Sequence, residues 1–320
     1  MKKILVVGGA GYIGSHMVKL LLTQGYEVIV LDMANKKLPL AGEWIVGNIN
    51  DKELLLKLFN SYQFDAVMHF GAYIEVGESV KNPEKYYDNN VTNTLNLLHA
   101  MMTHNVKKLI FSSTAALFGN PEYTPIDEKH PIQPINPYGK SKAMVESILE
   151  DYDKAYQLKS IALRYFNAAG ADPEGLLGEC HEPESHLIPL ILQAANGKRD
   201  KIYVFGNDYD TPDGTCVRDY IHVTDLCQAH LLSLEKLLAG GESARYNLGN
   251  GNGFSVQAVI DTARKVTEKN IVQENAERRA GDPATLIADS KAATAELNWK
   301  PQFNSLEKII TDAWHWEKKH

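Results

Sequence analysis

Two side chains four residues apart make the sequence's first chemical statement. Tyr138 and Lys142 stand in Asn136-Pro137-Tyr138-Gly139-Lys140-Ser141-Lys142, where Pro137 opens a helix, so they share one helical face. A free tyrosine has a pKa near ~10 and is a poor base at neutral pH. A nearby ammonium favours the phenolate. The pair then suits moving a proton on and off a hydroxyl. Upstream, Ser112-Ser113-Thr114 follows an apolar strand, Leu109–Phe111. Hydroxyls at the carboxyl edge of a parallel sheet face a ligand crevice. Thr114 is placed there to hydrogen-bond the reacting oxygen.

A second constellation lies near the start. Gly8-Gly9-Ala10-Gly11-Tyr12-Ile13-Gly14 sits between an apolar strand and a helix. It satisfies G-x-G-x-x-G through Gly9, Gly11 and Gly14, and G-x-x-G-x-x-G through Gly8, Gly11 and Gly14. A side chain here would hold the backbone away from a pyrophosphate, whose charge the N–H groups of the helix start meet. Asp32 ends the next strand, where a carboxylate accepts from a ribose diol. It also favours NAD over NADP, because it repels a 2′-phosphate. Lys36 and Lys37 lie close by and weaken that preference.

The elements that must position these groups alternate. Strands are expected at Ile4–Val7, Val28–Leu31, Ala66–His69, Leu109–Ser112 and Ser160–Leu163. Helices are expected from Tyr12 to Gln24, from Asp51 to Asn60, from Pro83 to about His104 and from Pro137 to about Tyr156. Short apolar strands separated by helices imply a parallel sheet covered on both faces. The fold class is therefore α/β, a Rossmann-type doubly wound parallel sheet. Past Asn167 the rhythm changes. Ala171–Ser185 reads as loop, Leu187–Ala195, Thr224–Leu238, Val256–Thr267 and Leu306–Lys318 as helices, and Tyr203–Phe205 as a strand. We expect a dinucleotide-binding domain over 1–166, joined by a returning segment near 215–240, and a smaller, mainly substrate-binding region over 167–320.

The 320 residues are enough for a large core, and 44% hydrophobic with 23% charged residues is ordinary for a globular enzyme. The net charge of −7 lacks the basic excess that grips a nucleic-acid backbone. No apolar run approaches membrane-spanning length, and the glycines at Gly8, Gly9 and Gly11 cut short any resemblance of Met1–Val7 to a signal peptide. Neither nucleic acid nor membrane is an expected partner. Cys180, Cys216 and Cys227 form no pair motif, which fits a reducing, cytoplasmic setting. The 11 histidines read as scattered without ligand spacing, and no metal is expected.

These residues resemble the extended short-chain dehydrogenase/reductase family, and within it the branch that epimerises UDP-linked glucose at C4. The resemblance runs nearly end to end. It includes the glycine loop at 8–15, His69-Phe70-Gly71-Ala72, Val76-Gly77-Glu78-Ser79 and Tyr86-Tyr87-Asp88-Asn89-Asn90-Val91. Leu163-Arg164-Tyr165-Phe166-Asn167 and Phe205-Gly206-Asn207-Asp208-Tyr209 follow, then Asp213-Gly214-Thr215 and Val217-Arg218-Asp219-Tyr220-Ile221-His222-Val223. Tyr246-Asn247-Leu248-Gly249 and Arg278-Arg279-Ala280-Gly281-Asp282 complete it.

The resemblance implies interconversion of UDP-glucose and UDP-galactose on tightly bound NAD: oxidation at C4, rotation of the 4-keto sugar and return of hydride. It implies catalysis by Tyr138, Lys142 and Thr114. It places Gly8, Gly11, Tyr12, Ile13, Gly14, Asp32, Asn48, Ile49, Phe70, Ala72, Asn89 and Tyr165 at the cofactor, with Tyr138 and Lys142. It places Asn167, Leu187, Phe205, Arg218, Tyr220, Arg279 and Asp282 at the nucleotide sugar, with Thr114. Two arginines suit a diphosphate. A homodimer through the helices near 83–104 and 137–156 is implied, as is a sugar gate at Leu286 that favours hexoses without an N-acetyl group.

The sequence departs from the pattern at four places, two of them longer than one residue. Asn48 stands where relatives often have Asp, Thr114 where many have Ser, Ile74-Glu75 lacks a Lys, and Ala115-Ala116-Leu117-Phe118 replaces a commoner run. The alternatives are a UDP-N-acetylglucosamine 4-epimerase, a nucleotide-sugar dehydratase and, from another class, a non-catalytic NAD-sensing protein. A dehydratase usually carries an Asp-Glu pair after the catalytic Thr, and Ala115 and Ala116 occupy those places. A sensor has no reason to keep Tyr138, Lys142 and Thr114 together.

Overall fold

In the computed structural model the chain opens with β1 (Lys3–Val7), α1 (Tyr12–Thr23), β2 (Glu27–Asp32), β3 (Glu43–Val46), α2 (Lys52–Ser61) and β4 (Ala66–His69). Next come α3 (Val76–Lys81), α4 (Pro83–Tyr87), α5 (Asn93–Thr103), β5 (Lys108–Thr114), α6 (Pro137–Tyr156) and β6 (Lys159–Tyr165). The second half holds β7 (Asn167–Ala169), α7 (Leu187–Ala195), β8 (Ile202–Phe205), β9 (Val217–Arg218), β10 (Tyr220–His222), α8 (Val223–Leu238) and β11 (Ala244–Leu248). It ends with β12 (Phe254–Ser255), α9 (Val256–Thr267), β13 (Gln273–Ala276), β14 (Thr285–Leu286), α10 (Lys291–Leu297) and α11 (Leu306–Glu317). The structure describes residues 1–35, 40–279 and 282–320; Lys36, Lys37, Ala280 and Gly281 lie outside the described residues.

Local chemistry fixes the main starts. Asp51 accepts the Leu54 N–H at 2.9 Å and caps α2. Asn136 accepts the Gly139 N–H at 2.8 Å, and Pro137 then occupies the first turn of α6. The structure differs from the expected pattern at three places. First, β3 and α3 carry too weak a periodicity to be seen. Second, β5 runs on through Ser112 and Ser113 to Thr114, so the hydroxyl cluster is the strand's own end. Third, the helix expected over 83–104 is broken by a π-helical turn, Asp88–Thr92. Asn90 holds that wide turn with its side chain. Its amide spans the Tyr73 backbone, accepting from N at 3.0 Å and donating to O at 3.0 Å. It also donates to Ser141 Oγ at 3.1 Å.

The chain divides into two compact units. The first comprises Met1–Gly119, Ile132–Arg164 and Cys227–Tyr246. Its seven-stranded sheet has the order β11-β6-β5-β4-β1-β2-β3. The pairings from β5 through β4, β1 and β2 to β3 are parallel. Sequence order runs outward in both directions from β1 and β4, so the switch point lies between them. The loops leaving these two strands, Gly8–Gly11 and Phe70–Ala72, sit at the edge where such sheets bind ligands. On one face Leu5 and Val7 pack with Leu55, Leu58 and Phe59 of α2, Leu97, Leu98 and Met101 of α5, and Val145 and Leu149 of α6. Ile4 and Val6 are equally buried on the opposite face. Each such side chain contributes roughly 1.5–3 kcal/mol by leaving water, which keeps the sheet edge rigid enough to aim a catalytic group.

The second unit comprises Asn120–Pro131, Tyr165–Leu226 and Asn247–His320. Its core joins Ile188, Ile191 and Leu192 of α7, Val259 and Ile260 of α9, and Ile309, Ile310 and Trp314 of α11. Three small sheets lie beside it: β10-β7, β12-β9-β14 and β13-β8. None of their two-to-four-residue strands except β8 was expected from the sequence. Such strands are too short to show a period.

Candidate active site

In the first unit the glycine loop folds tightly on itself. Gly8 has φ +82°, and a Cβ there would lie 2.5 Å from Gly71 N. At Gly14 a Cβ would lie 2.1 Å from Gly8 O, whereas at Gly11 its nearest neighbour would be 3.4 Å away. No side chain caps α1 at Gly11, so the positive end of the helix is left to an anionic ligand. Asp32 accepts the Ala10 N–H at 2.8 Å and the Ala34 N–H at 2.9 Å, which fixes its carboxylate beside the loop. Asn48 accepts the Asn50 N–H at 3.0 Å, and its amide faces Met33 Sδ at 2.8 Å. Tyr12 and Ile49 are buried, while Phe70 and Ala72 are half-buried after β4. Asn89 is buried and donates to Asn90 Oδ1 at 2.9 Å. The tight loop, the uncapped helix start and the placed carboxylate fit a dinucleotide.

The catalytic groups meet at the adjacent strand end. Thr114, the last residue of β5, accepts the Ala116 N–H at 3.1 Å, and its hydroxyl hydrogen-bonds Tyr138. Burial pushes the Tyr138 phenol up to about 12, and the Thr114 hydroxyl pulls the other way. Lys142, one turn further along α6, donates to the Ser112 carbonyl at 2.8 Å and lies over the Phe111 ring. Burial brings its ammonium down to about 7, with Glu146 opposing.

Two supporting features escaped the sequence reading. Ser113 donates to Glu146 Oε1 at 2.5 Å, and Arg164 Nε donates to both Glu146 oxygens at 3.0 and 3.1 Å. Arg164 and Glu146 are almost wholly buried, and they tie β5 and β6 to the helix carrying Tyr138 and Lys142. His69, at the end of β4, bonds Thr94 Oγ1 through Nε2 at 2.9 Å. Burial first and Lys142 second bring it down to about 3, so it stays neutral. The identity Glu146 and its spacing from Lys142 were visible. Its partner was not, because Arg164 lies in a different element.

In the second unit, Arg218 Nη1 donates to the Val217 and Pro283 carbonyls, both at 2.9 Å, and Nη2 lies 3.6 Å from Asp282. The Arg279 guanidinium lies 3.9 Å over the Phe205 ring, and Arg278 pairs with Asp208 at 2.6 Å beside Tyr209. Asn167 donates through Nδ2 to the Asp219 carbonyl at 2.8 Å and pairs with Tyr220 in the β7–β10 ladder. Tyr220 is buried, which raises its pKa. Leu187 opens α7, half-buried, and Tyr165 closes β6. The unexpected hub is Asp219. It is fully buried and accepts the N–H groups of Asn250, Gly251 and Ala288 at 2.6–3.0 Å, fixing the turn between Arg218 and Tyr220.

A family model described as GDP-mannose 4,6 dehydratase matches residues 5–313. A UDP-glucose 4-epimerase from Halalkalibacterium halodurans is 52% identical over 320 residues, covering 99% of this chain and 96% of the relative. This chain belongs to the UDP-glucose 4-epimerase family. A crystal structure of a UDP-glucose 4-epimerase superposes with a TM-score of 0.97 at 48% identity, covering 99% of this chain and 98% of the other. The Brucella ovis UDP-glucose 4-epimerase in complex with NAD gives 0.96 at 45% identity, covering 99% of each chain. An epimerase sequence explains why Ala115 and Ala116, not acid–base groups, follow Thr114. Leu286 pairs with Arg218 in the β14–β9 ladder.

The histidines are not all scattered: His181 and His186 lie beside each other with Glu179 and Glu184, all four offering ligand atoms within 4.8 Å. Spacing hid this, because the irregular loop between them, not a helix or hairpin, brings the rings together.

Proposed function

We propose that Tyr138 is the acid–base group of a UDP-glucose/UDP-galactose 4-epimerase, with Thr114 and Lys142 supporting it. One observation carries this reading: the Tyr138 phenol is buried with the Thr114 hydroxyl bonded to it, in a chain of the epimerase family. NAD, when bound, supplies the hydride acceptor and donor for C4. Gly8, Gly11, Gly14 and Asp32 hold it, with Tyr12, Ile13, Asn48, Ile49, Phe70, Ala72, Asn89 and Tyr165 as further contacts. Tyr138 removes the 4-hydroxyl proton and later returns it. Thr114 stabilises the phenolate by donating a hydrogen bond from its hydroxyl. Lys142 keeps a positive or readily protonated group one turn away, anchored on the Ser112 carbonyl.

Inversion requires that the sugar turn while the nucleotide stays still. Arg218 and Arg279 hold the diphosphate as the fixed part, with Phe205, Leu187, Asn167, Tyr220 and Asp282 around the nucleotide sugar. Arg218 is preoriented by two backbone carbonyls, which lowers the entropy lost on binding. Leu286 acts as the gate beside the sugar. Its size favours UDP-glucose and UDP-galactose over N-acetylated sugars, and its register opposite Arg218 supports that role.

A homodimer through the helical stretches 83–104, which holds α4 and α5, and 137–156, which is α6, belongs to the same reading; Leu95 and Met144 are apolar and exposed there. So does a cytoplasmic location, which suits three free cysteines, two of them buried. The experiment is conversion of UDP-glucose without added cofactor, followed by denaturation and assay of the released nucleotide. NAD release with turnover supports the reading. Strict dependence on added NADP overturns it.

A further inference from the structure

Four side chains of one loop in the second unit converge on a point that the epimerase reading does not use. His186 Nδ1 lies 2.8 Å from Glu179 Oε1 and 3.2 Å from Glu184 Oε1. His181 Nδ1 lies 3.1 Å from the same Glu179 oxygen and 3.7 Å from Glu184 Oε2. For ligand bonds of about 2.0–2.2 Å, the edges of a tetrahedron around zinc are roughly 3.3–3.6 Å. The four nitrogen–oxygen separations, 2.8–3.7 Å, bracket that edge, and all four ligand atoms lie within 4.8 Å of one another.

A cluster of protonated histidines on glutamates is the simpler account, and two observations weigh against it. Both Nδ1 atoms approach a single carboxylate oxygen. His181 Nδ1 is buried there without the alignment of a hydrogen bond. The two glutamate side chains are only 7% and 5% exposed. With neutral imidazoles the group carries two buried negative charges, which one divalent cation balances.

The surroundings hold the donors still, as metal ligands require. Glu184 Oε1 accepts the N–H groups of Ser185 and His186, both at 2.8 Å. Trp316 Nε1, from α11, donates to the Glu179 carbonyl at 3.0 Å. His186 immediately precedes Leu187, the first residue of α7.

We propose that Glu179, His181, Glu184 and His186 bind one zinc ion as a four-coordinate structural site that pins the loop before α7. All four positions are filled by protein, so the ion holds the loop and takes no part in the chemistry.

The test uses the full chain without a histidine tag, exposed to micromolar zinc and dialysed. Elemental analysis is expected to find about one zinc per chain in the wild type. His181→Ala and Glu179→Gln are expected to bind zinc more weakly by at least the roughly 10- to 100-fold that loss of an outer-shell partner costs. A chelator lowers the wild-type Tm and leaves that of His181→Ala unchanged. Circular dichroism checks that the variants fold. If they do not, Co2+ bound to the wild type decides, with a tetrahedral visible spectrum expected. A wild type that holds no zinc and gives only an octahedral Co2+ spectrum overturns the proposal. So does equal zinc in wild type and folded variants.

Discussion

The Thr114 hydroxyl takes the Ala116 N–H at 3.1 Å and, on the same oxygen, bonds Tyr138. The bond lowers the Tyr138 pKa, so the threonine favours the phenolate, to which its hydroxyl can donate. Thr114→Val keeps the branched shape and removes the donor. A hydrogen bond to a charged group contributes about 1.5–3 kcal/mol. We expect kcat to fall roughly 10- to 100-fold with KM little changed, and the acidic limb of the pH–rate profile to move to higher pH. Thr114→Ser should restore both. An unchanged profile in Thr114→Val would remove Thr114 from proton transfer.

Lys142 gives stability a pH dependence whose sign is fixed. Its folded pKa, about 7, lies below its ordinary value. Between about 7 and the unfolded value near ~10.4 the unfolded chain binds the extra proton. Stability therefore rises with pH across that window. Urea unfolding at pH 7, 8 and 9 should show the wild type gaining on Lys142→Met as pH rises. Parallel curves would mean that Lys142 stays fully charged when folded.

The buried Arg164–Glu146 pair predicts an asymmetric double-mutant cycle. Arg164→Met takes the buried arginine from the Glu146 carboxylate, which keeps only the half-exposed Arg245 at 3.2 Å and the Ser113 hydroxyl, and we expect up to about 3–5 kcal/mol of destabilisation. Replacing both, with Glu146→Leu, should recover most of it. Additive losses in urea unfolding would show that the two residues are not coupled.

The glycine loop predicts a contrast between two Gly→Ala changes. A Cβ at Gly14 would stand 2.1 Å from Gly8 O, while one at Gly77 meets nothing within 4 Å. Gly14→Ala must displace the loop and should co-purify with little NAD. Gly77→Ala should retain a normal content. Equal NAD in both would place the cofactor elsewhere.

Much of this was legible in the sequence because it is local. The glycine loop, Asp32, and the Tyr138–Lys142 face depend on neighbours in the chain, and α6 and α7 appear within their expected bounds. What was not legible depends on long-range packing. Arg164 finds Glu146 across two elements, and Asp219 collects N–H groups from residues 250, 251 and 288. The π-helical turn at Asp88–Thr92 needs Asn90 to reach Tyr73 and Ser141, which no period reveals. The Glu179–His186 cluster depends on a loop's path. The rise in the Tyr138 pKa comes from burial, which is a product of long-range packing.

The central claim is that hydrogen leaves C4 of the sugar and returns to the same carbon, with Tyr138 moving only the hydroxyl proton. UDP-galactose carrying deuterium at C4 tests it directly. After conversion in ordinary water, NMR of the UDP-glucose formed should show deuterium retained at C4. Tyr138→Phe, folded and with NAD bound, should slow the conversion by about 10²- to 10⁴-fold. Solvent hydrogen at C4 of the product, or near-normal turnover by Tyr138→Phe, would contradict the account.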